Sequence, residues 1–369
     1  IMLVLDLDNS EWSLEYKSSI LSSGQAGHLA SFLAETVITV ATKATTKGTL
    51  SQLSIKSCAQ QKKVKEWNSQ LLIQPSDPTI HQIIHSLSKT QGDHIALWAA
   101  DGQLTYAELD IISSRLARHL QTLGVEPGMF IPVCFNKTLW AVVTMLAINK
   151  AGAAFVTLDA SQPLSRLKLI VKQLNGPPLG LTSPQNQNLM GEVITPTLAV
   201  DAQTMLRLGR KKADEVEDTD YCDWPIDPTA PSYCFFTSGS TGEPKGCLVD
   251  HAALASLQTH YKALHLNSAS RVLQFASFSF GVSLIEIWCT LAAGGTVCMP
   301  SDSDRVSRLA DAIEKMAINW AFVTPTVLGT IDPDAVPGLR CIMVAGEPLK
   351  KAQISLWAKR TRLFQAYGF

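Results

Sequence analysis

A short stretch rich in glycine and hydroxyl side chains is the part of this chain best suited to chemistry. Ten consecutive residues, 237–246, contain three glycines, four hydroxyl side chains and one lysine, directly after an apolar run. Glycine lets backbone N–H groups approach a ligand closely, and the hydroxyls and lysine add donors and positive charge. A polyphosphate suits such a loop. The candidate ligand-binding residues are Thr237, Ser238, Gly239, Ser240, Thr241, Gly242, Lys245 and Gly246.

This stretch differs from the phosphate loop of the common nucleoside triphosphatases. That loop needs a glycine directly before its lysine, whereas Pro244 stands before Lys245. A plain Gly/Ser turn between two elements is the alternative for a short Gly-Ser-Thr-Gly string. The full string, with its proline, lysine and last glycine, favours phosphate binding.

Composition excludes several other functions. The net charge is −1 and 17% of residues are charged, so no broad basic surface for nucleic acid or an anionic membrane is expected. The longest apolar stretch, residues 139–148, is too short to cross a bilayer, and no signal peptide is recognisable. The 8 cysteines are scattered without a C-x-x-C pair, which predicts buried thiols in a reducing cytoplasm and no zinc site.

The first part of the chain predicts two short strands, a helix and a linker. Apolar and polar residues alternate over residues 2–7 and 12–16, as in half-buried strands. A helix follows, and from Ala41 the composition shifts to Thr, Ser, Gln and Lys, which indicates a solvated linker. Asp77 and Pro78 then predict the start of another helix. The predicted apolar face of the first helix is Ala26, Leu29, Leu33, Val37 and Val40.

The rest of the chain has an α/β rhythm. Thr105 and Glu108 form a capping box that opens a helix, which Gly124 stops. The alternation of strands and helices predicts a largely parallel sheet covered on both faces. Residues 207–232, rich in charge and proline, are predicted to be a surface loop. The other predicted elements are strands over 129–135 and 153–158 and helices over 138–150 and 164–174.

Further motifs identify the family that the chain resembles. In order and spacing they are similar to the signatures of adenylation domains of nonribosomal peptide synthetases, within the adenylate-forming superfamily of acyl-CoA ligases and luciferases. The resemblance implies an α/β fold, the large N-terminal core of that superfamily, over residues 77–369, with 43–76 as a linker. Residues 1–42 resemble, more weakly, the end of a condensation domain. The motifs, besides the glycine-rich loop, lie at residues 104–109, 150–159, 280–288, 291–295, 345–347 and 365–368.

The resemblance implies ATP and Mg²⁺ as cofactors and an acyl-AMP as product. It places Ala345, Gly346 and Glu347 along the adenine and Tyr367 against its ring. In the family, the metal-binding glutamate, the ribose-binding aspartate and the C-terminal lid with its catalytic lysine all follow the position of Phe369. We therefore expect no complete catalytic set and no metal ligand in these 369 residues, which alone would be inactive. The implied partners are the neighbouring condensation and carrier domains, the latter carrying 4′-phosphopantetheine.

One departure from the family pattern points to the substrate. Domains that activate α-amino acids have an aspartate for the substrate ammonium where this chain has Gly281. An unpaired buried ammonium costs several kcal/mol, so a small carboxylic acid without one is expected, with anthranilate or another aryl acid first and a 2-hydroxy acid as rival. The implied pocket is apolar and wide, formed by Gly281, Val282, Ile285, Phe322, Met343, Ala345 and Ala366.

Two alternative functions remain open from the sequence. One is a free-standing acyl- or aryl-CoA ligase, and the other is a non-catalytic remnant that binds only a nucleotide or a partner. A carrier domain downstream would favour the peptide synthetase, as do the condensation-like residues 2–16.

Overall fold

A computed structural model describes residues 2–6, 11–43, 58–70, 78–209, 226–238, 243–256 and 263–367. The chain divides into two compact units, Ile1–Gln74 and Pro75–Phe369, and each is considered by itself. None of the described helices combines the length and apolarity needed to cross a membrane.

The first unit contains a hairpin and two helices. Strands β1 (Met2–Asp6) and β2 (Glu11–Glu15) pair antiparallel, with Leu3 opposite Leu14. Helix α1 (Ser23–Lys43) follows, close to where the sequence predicts it. Its predicted apolar face is only partly buried: Ala26 is buried, whereas Val37 and Val40 are exposed.

The predicted linker contains a helix, α2 (Cys58–Gln70). Its sequence carries Ala, Gln, Lys and Glu without glycine or proline, and these residues favour helix even where no core is available. The described side chains of α2 are exposed, which explains why the stretch has no apolar periodicity.

The second unit contains two mixed, mostly parallel sheets. A six-stranded sheet has the order β10-β9-β6-β5-β7-β8, in which only β10 runs antiparallel to its neighbour. Its strands are β5 (Phe130–Cys134), β6 (Ala154–Thr157), β7 (Gly180–Thr182), β8 (Thr197–Ala199), β9 (Pro231–Ser238) and β10 (Pro244–Asp250). Hence β5, β6 and their parallel pairing agree with the sequence prediction.

The second sheet has seven strands in the order β15-β14-β13-β11-β12-β3-β4, and only β4 is antiparallel to its neighbour. These strands are β3 (Ile95–Ala99), β4 (Gly102–Thr105), β11 (Arg271–Leu273), β12 (Thr296–Met299), β13 (Trp320–Val323), β14 (Cys341–Val344) and β15 (Arg362–Gln365). The helices of the unit are α3 (Ile80–Thr90), α4 (Tyr106–Thr122), α5 (Leu139–Lys150), α6 (Leu164–Lys172), α7 (Gln187–Val193), α8 (Ala202–Gly209), α9 (His251–Ser256), α10 (Val282–Leu284), α11 (Thr290–Ala292), α12 (Asp302–Ser307), α13 (Leu309–Lys315), α14 (Pro325–Leu328) and α15 (Lys351–Trp357). Between α10 and α11 the backbone is π-helical over Ile285–Cys289, and 3₁₀ turns lie at Pro184–Asn186 and Pro333–Ala335.

Helix starts show where the sequence prediction was right and where it was wrong. The Thr105–Glu108 capping box is present: the Thr105 hydroxyl accepts from the Glu108 N–H at 3.2 Å, and the Glu108 carboxylate accepts from the Thr105 N–H at 2.8 Å. The start of α3 at Pro78 was wrong. Thr79 is the N-terminal cap, because Gln82 accepts from its N–H at 2.8 Å.

Helix α5 belongs to an apolar core cluster of the second unit and is buried all round except at one residue. This explains its unbroken apolar sequence, since a helix without a polar face must be covered on every side. The predicted surface loop 207–232 begins inside α8 and ends inside β9, and residues 210–225 lie outside the described part. Of the six cysteines whose side chains the structure describes, five are buried as predicted, but Cys247 on the edge strand β10 is exposed.

Candidate substrate and nucleotide site

The carboxyl ends of β13, β14 and β15 form one edge of the seven-stranded sheet. Their parallel register sets Phe322 beside Met343, and Met343 beside Phe364. The Ala366 N–H donates to the Val344 carbonyl at 2.8 Å, so the pairing continues just past the last strand. The predicted adenine segments, residues 345–347 and Tyr367, therefore leave neighbouring strands at the same edge.

Six of the seven predicted pocket residues lie in one apolar cluster, here called the pocket cluster. Phe322 and Met343 come from β13 and β14, Ala345 and Ala366 directly follow β14 and β15, and α10 and the π-helical segment supply Val282 and Ile285. Proximity of residues this far apart in sequence could only be inferred from the family resemblance. The pocket cluster also contains Leu264, Leu266, Val272, Cys289, Ala293, Trp320, Cys341 and Phe364.

The seventh residue, Gly281, directly precedes α10. Its backbone is in the right-handed helical region, with φ −55 and ψ −27, which any residue can adopt. A Cβ atom added there would meet no atom of the described residues within 4 Å. Neither the backbone conformation nor packing against the described part of the chain therefore requires glycine at this position.

Residues 274–281, here called the crossing loop, carry the chain from β11 to α10. A buried polar network that the sequence analysis missed lies under this loop. Lys137 donates to the Gln274 side-chain oxygen at 2.6 Å and to the Ala276 carbonyl, and the Gln274 amide donates to Glu286 at 2.9 Å. The Glu286 carboxylate also accepts from the Ala276 N–H at 3.2 Å. A glutamate inside the apolar run of residues 284–288 was the one sequence signal of this network.

Burial acts on both charged members of the network. It raises the pKa of Glu286, opposed mainly by the nearby charge of Lys137. It also lowers the pKa of Lys137, opposed mainly by Glu286. The Lys137 ammonium lies 4.1 Å from the centre of the Phe278 ring, which partly compensates for the lost water.

A second contact ties the crossing loop to the other sheet. Asp159, just beyond β6, accepts hydrogen bonds from the hydroxyls of Ser277 at 3.0 Å and Ser279 at 3.5 Å. Burial by itself would raise the pKa of Asp159, but hydrogen bonds led by those from Ser161 lower it below its usual range. Asp159 is thus held as a carboxylate where the ends of the two sheets meet.

The glycine-rich stretch lies at the turn of the hairpin formed by β9 and β10. Thr237 and Lys245 are opposite one another in this antiparallel pair, and both are exposed. The tip, residues 239–242, and the side chain of Ser238 lie outside the described residues. Phosphate contacts of Ser238, Gly239, Ser240, Thr241 and Gly242 therefore stay a prediction.

Gly246 has a packing role that the sequence analysis did not foresee. A Cβ atom at this position would lie 3.1 Å from the Cys234 sulfur and 3.3 Å from the Phe236 ring. The absence of a side chain lets β10 lie close against the side chains of β9.

The predicted adenine residues are accessible. Gly346 has φ +85, a conformation that favours glycine, and the chain turns there after β14. The Glu347 carboxylate accepts from the Thr326 N–H at 3.1 Å and from its hydroxyl, which fixes the turn against α14. The Tyr367 side chain is fully exposed, so its ring makes no packing contact that would make it a core residue. Its stacking on adenine stays a prediction.

Comparison with known proteins decides the family. Residues 85–369 match the AMP-binding enzyme family. The chain belongs to this family. The resemblance to the adenylate-forming enzymes that its motifs indicated is thereby confirmed.

The similar curated proteins are large fungal synthetases. The chain is 54% identical over 373 residues to nonribosomal peptide synthetase fmqA of Aspergillus fumigatus, a match that covers 100% of this chain and 9% of that protein. It is 42% identical over 369 residues to nonribosomal peptide synthetase anaPS of Neosartorya fischeri, covering 100% of this chain and 15% of that protein. The chain thus spans a small part of the length of these relatives.

Solved structures confirm the fold class. The N-terminal subdomain of Klebsiella oxytoca NpsA, in complex with 3-hydroxybenzoyl-AMSN, matches with a TM-score of 0.67 at 22% identity, over 79% of this chain and 72% of that one. VinN matches with a TM-score of 0.68 at 19% identity, over 79% of this chain and 75% of that one. Two mostly parallel sheets flanked by helices are therefore the N-terminal core of the adenylate-forming fold.

Proposed function

We propose that this AMP-binding chain is the core of an adenylation domain that activates an aryl acid, with anthranilate as first choice. Gly281 is the observation that carries the proposal. It directly precedes Val282 of the pocket cluster, and neither its backbone conformation nor its packing against the described residues requires glycine. A role toward a ligand accounts for it: glycine provides no charge for an ammonium and leaves room for a ring substituent.

The chemistry of the pocket cluster agrees with this assignment. The cluster consists of apolar side chains. Leaving an ion unpaired in such surroundings costs several kcal/mol. Anthranilate has an aromatic amine that is uncharged at neutral pH, and its flat ring suits an apolar pocket.

Similar proteins offer support by analogy. NpsA is described in complexes with 3-hydroxybenzoyl-AMSN and 3-hydroxyanthranilyl-AMSN, whereas VinN is described with 3-methylaspartate and with L-aspartate. A relative 39% identical over 321 residues is the N-benzoylphenylalaninol synthetase apmA of Penicillium brevicompactum. The fold thus accommodates aryl and amino acids, and in our proposal Gly281 selects the former.

The accessible residues around the site suit ATP. Lys245 and Thr237 offer a cation and a hydroxyl beside the glycine-rich tip, and Tyr367 offers a free aromatic face for a purine. Mg²⁺ bound to the phosphates would supply charge neutralisation for the attack of one anion on another. In this proposal Lys245 adds positive charge near the phosphates, and the pocket cluster orients the acid.

We also propose the surroundings of the chain in a synthetase. The matches to fmqA and anaPS extend over 100% of the chain, including the first unit, which supports the proposal that this unit is also part of a synthetase. Residues 1–42 would be the end of a condensation domain and 43–76 the connection to the adenylation core at 77–369. A carrier domain would receive the acyl group on its 4′-phosphopantetheine.

ATP–pyrophosphate exchange tests the proposed activity. It is measured on the adenylation domain carried through to the end of its C-terminal lid, with anthranilate, benzoate, a 2-hydroxy acid and phenylalanine. We expect exchange with the aryl acids and little with phenylalanine. Preference for the 2-hydroxy acid would retain the role of Gly281 but reject an aryl acid as substrate. Preference for phenylalanine would reject both.

A further inference from the structure

The crossing loop, residues 274–281, ends at Gly281, and its path is fixed from below by the buried polar network. Lys137 is 8% exposed, and Gln274 and Glu286 are fully buried. Among the described residues, the hydrogen bonds of this network do not involve Thr237, Lys245, Glu347 or Tyr367. The network instead acts on the loop that leads to Gly281, where the acid is proposed to bind.

We propose that Lys137 and Glu286, acting through Gln274, are positioning residues that hold the crossing loop and thereby set the place of Gly281 in the acid pocket. This inference rests on the proposed function, since it concerns the same pocket. Both side chains bond to residues of the crossing loop, Gln274 and Ala276, so their effect passes through the loop.

The Gln274 side chain explains why two opposite charges are needed. Its oxygen accepts from Lys137 at 2.6 Å, and its nitrogen donates to Glu286 at 2.9 Å. A primary amide reversed by half a turn would present its nitrogen to the ammonium and its oxygen to the carboxylate. The two charges thus select one orientation of Gln274 out of two of similar shape.

Ala276 connects the network to the loop. Its N–H donates to Glu286 at 3.2 Å, and its carbonyl accepts from Lys137 and from the Gln274 amide, the latter at 2.8 Å. The network therefore holds both backbone hydrogen-bonding groups of Ala276, its N–H and its carbonyl. From there the Phe280 N–H donates to the Ser277 carbonyl at 3.0 Å, and the Leu284 N–H donates to the Gly281 carbonyl at 3.1 Å.

The network of Lys137, Gln274 and Glu286 is not arranged in the way that best stabilises a fold. The Lys137 ammonium and the Glu286 carboxylate are joined through Gln274 instead of by a direct ion pair, so each loses water without the full attraction of a close opposite charge. Elsewhere in the same unit Lys150 and Asp110 form a direct buried pair at 2.6 Å. The indirect arrangement instead positions the crossing loop, because it holds both the N–H and the carbonyl of Ala276.

The test uses the 369-residue chain and two probes, a non-hydrolysable anthraniloyl-adenylate analogue and AMP. Lys137→Met and Glu286→Gln should each weaken binding of the acyl-adenylate by about tenfold, since a loop displaced by a fraction of an ångström misplaces the pocket wall. AMP affinity should change by less than about twofold, because AMP lacks the acyl group. Lys150→Met is the matched control, a buried lysine of the same unit outside the loop, and should shift both probes equally.

The double variant Lys137→Met with Glu286→Gln tests whether the second substitution partly restores the acyl-adenylate binding that the first one weakens. Gln274 can then turn its oxygen toward the new glutamine, so the combined loss should be smaller than the product of the two single losses by about threefold or more. Should Lys137→Met fail to fold, the shape-conserving Glu286→Gln carries the comparison. Equal losses for acyl-adenylate and AMP, or fully multiplicative losses in the double variant, would overturn the positioning role.

Failure of the proposed function gives a different result. If the wild-type chain binds a phenylalanyl- or 2-hydroxyacyl-adenylate analogue more tightly than the anthraniloyl one, the substrate proposal is wrong. The variants are then compared with whichever analogue binds best. In every case amide hydrogen exchange at Ala276 should be faster by about tenfold in both single variants and unchanged in the Lys150 control. Unchanged exchange at Ala276 would overturn the inference without any ligand.

Discussion

The Ser277 hydroxyl donates to the Asp159 carboxylate at 3.0 Å, although the two residues follow strands of different sheets. Ser277 lies in the crossing loop after β11, and Asp159 lies just beyond β6. This bond joins the carboxyl ends of the two sheets at the loop that leads to Gly281. The part of the site proposed to bind the acid therefore depends on both sheets.

Asp159→Ala should loosen the crossing loop. The change removes the acceptor of Ser277 and Ser279 and should cost about 1–3 kcal/mol of unfolding free energy, because hydrogen bonds to a charged acceptor are lost. Amide hydrogen exchange at Phe280 should become faster. Asp93→Ala, at an exposed aspartate, is the control. Similar exchange at Phe280 in both variants would show that Asp159 does not hold the loop.

Two glycines should respond oppositely to alanine. Gly246→Ala places a methyl group 3.1 Å from the Cys234 sulfur and should destabilise the fold by about 1–3 kcal/mol. Gly281→Ala adds a methyl group that meets no atom of the described residues within 4 Å and should leave the melting temperature nearly unchanged. Thermal unfolding of the two variants side by side checks this. A large loss for Gly281→Ala would mean that this glycine serves the fold and not a ligand.

Local sequence patterns account for much of the fold. The capping box of Thr105 and the apolar runs of α5, β5 and β6 depend on neighbouring residues, so periodicity and capping chemistry predict them. The short strands β7 and β8, three residues each, carry too little pattern to be predicted. Helix α2 was missed because its exposed surface lacks periodicity.

One part of the site was predicted from the sequence and another part was missed, for a related reason. The pocket cluster came from the family resemblance, residue by residue, and the structure brings those residues together. The network of Lys137, Gln274 and Glu286 spans 149 positions of sequence, and only the fold brings it together. A charged residue inside an apolar helical run, as at Glu286, is the kind of signal that could have indicated a buried partner.

Stability should fall as the pH is lowered from 6.5 toward 4 because of His251. Burial lowers the pKa of His251 from 6.5 to about 4, and that of the adjoining His81 is lowered as well. Between these values the unfolded chain binds a proton that the folded His251 does not, so unfolding becomes more favourable, by about 2–3 kcal/mol at pH 4.

Denaturant unfolding at several pH values measures this effect. His251→Phe should flatten the decline between pH 6.5 and 4, whereas His28→Gln, at an exposed histidine, should leave it unchanged. His81 lies edge-on to His251 at 5.5 Å between ring centres, so its contribution should persist in the variant. An undiminished decline in His251→Phe would mean that other groups dominate.

Lys245→Ala should weaken ATP binding. The exposed amine opposite Thr237 is the cation proposed to face the phosphates, and loss of a charged donor should reduce affinity by about tenfold or more. Adenylation by the domain carried through its lid should fall by about 10²–10³. Calorimetric titration with ATP measures the first effect, with Lys359→Ala, at another exposed lysine, as control. Equal ATP affinity in both variants would leave Lys245 without a role at the phosphates.

Gly281→Asp should reverse the selectivity of the pocket. The loss of aryl-acid binding should be larger than the gain of amino-acid binding. The new carboxylate points into open space beside the pocket cluster, where an aryl acid offers it no cation. It then costs several kcal/mol or takes up a proton, so aryl binding should fall by about 10²-fold. Gain of phenylalanyl-adenylate binding should be smaller, because the rest of the pocket is shaped for another acid. Unchanged aryl-acid binding in Gly281→Asp would show that residue 281 does not line the pocket.

The most direct measurement of the central claim compares the affinities of the wild-type chain for two non-hydrolysable adenylates by calorimetric titration. One carries anthranilate and the other phenylalanine, so the nucleotide part is common and only the acid differs. We predict at least about 10²-fold tighter binding of the anthraniloyl-adenylate, since the phenylalanyl one must bury an unpaired ammonium beside Gly281. Equal or tighter binding of the phenylalanyl-adenylate would contradict the assignment of an acid without an α-ammonium.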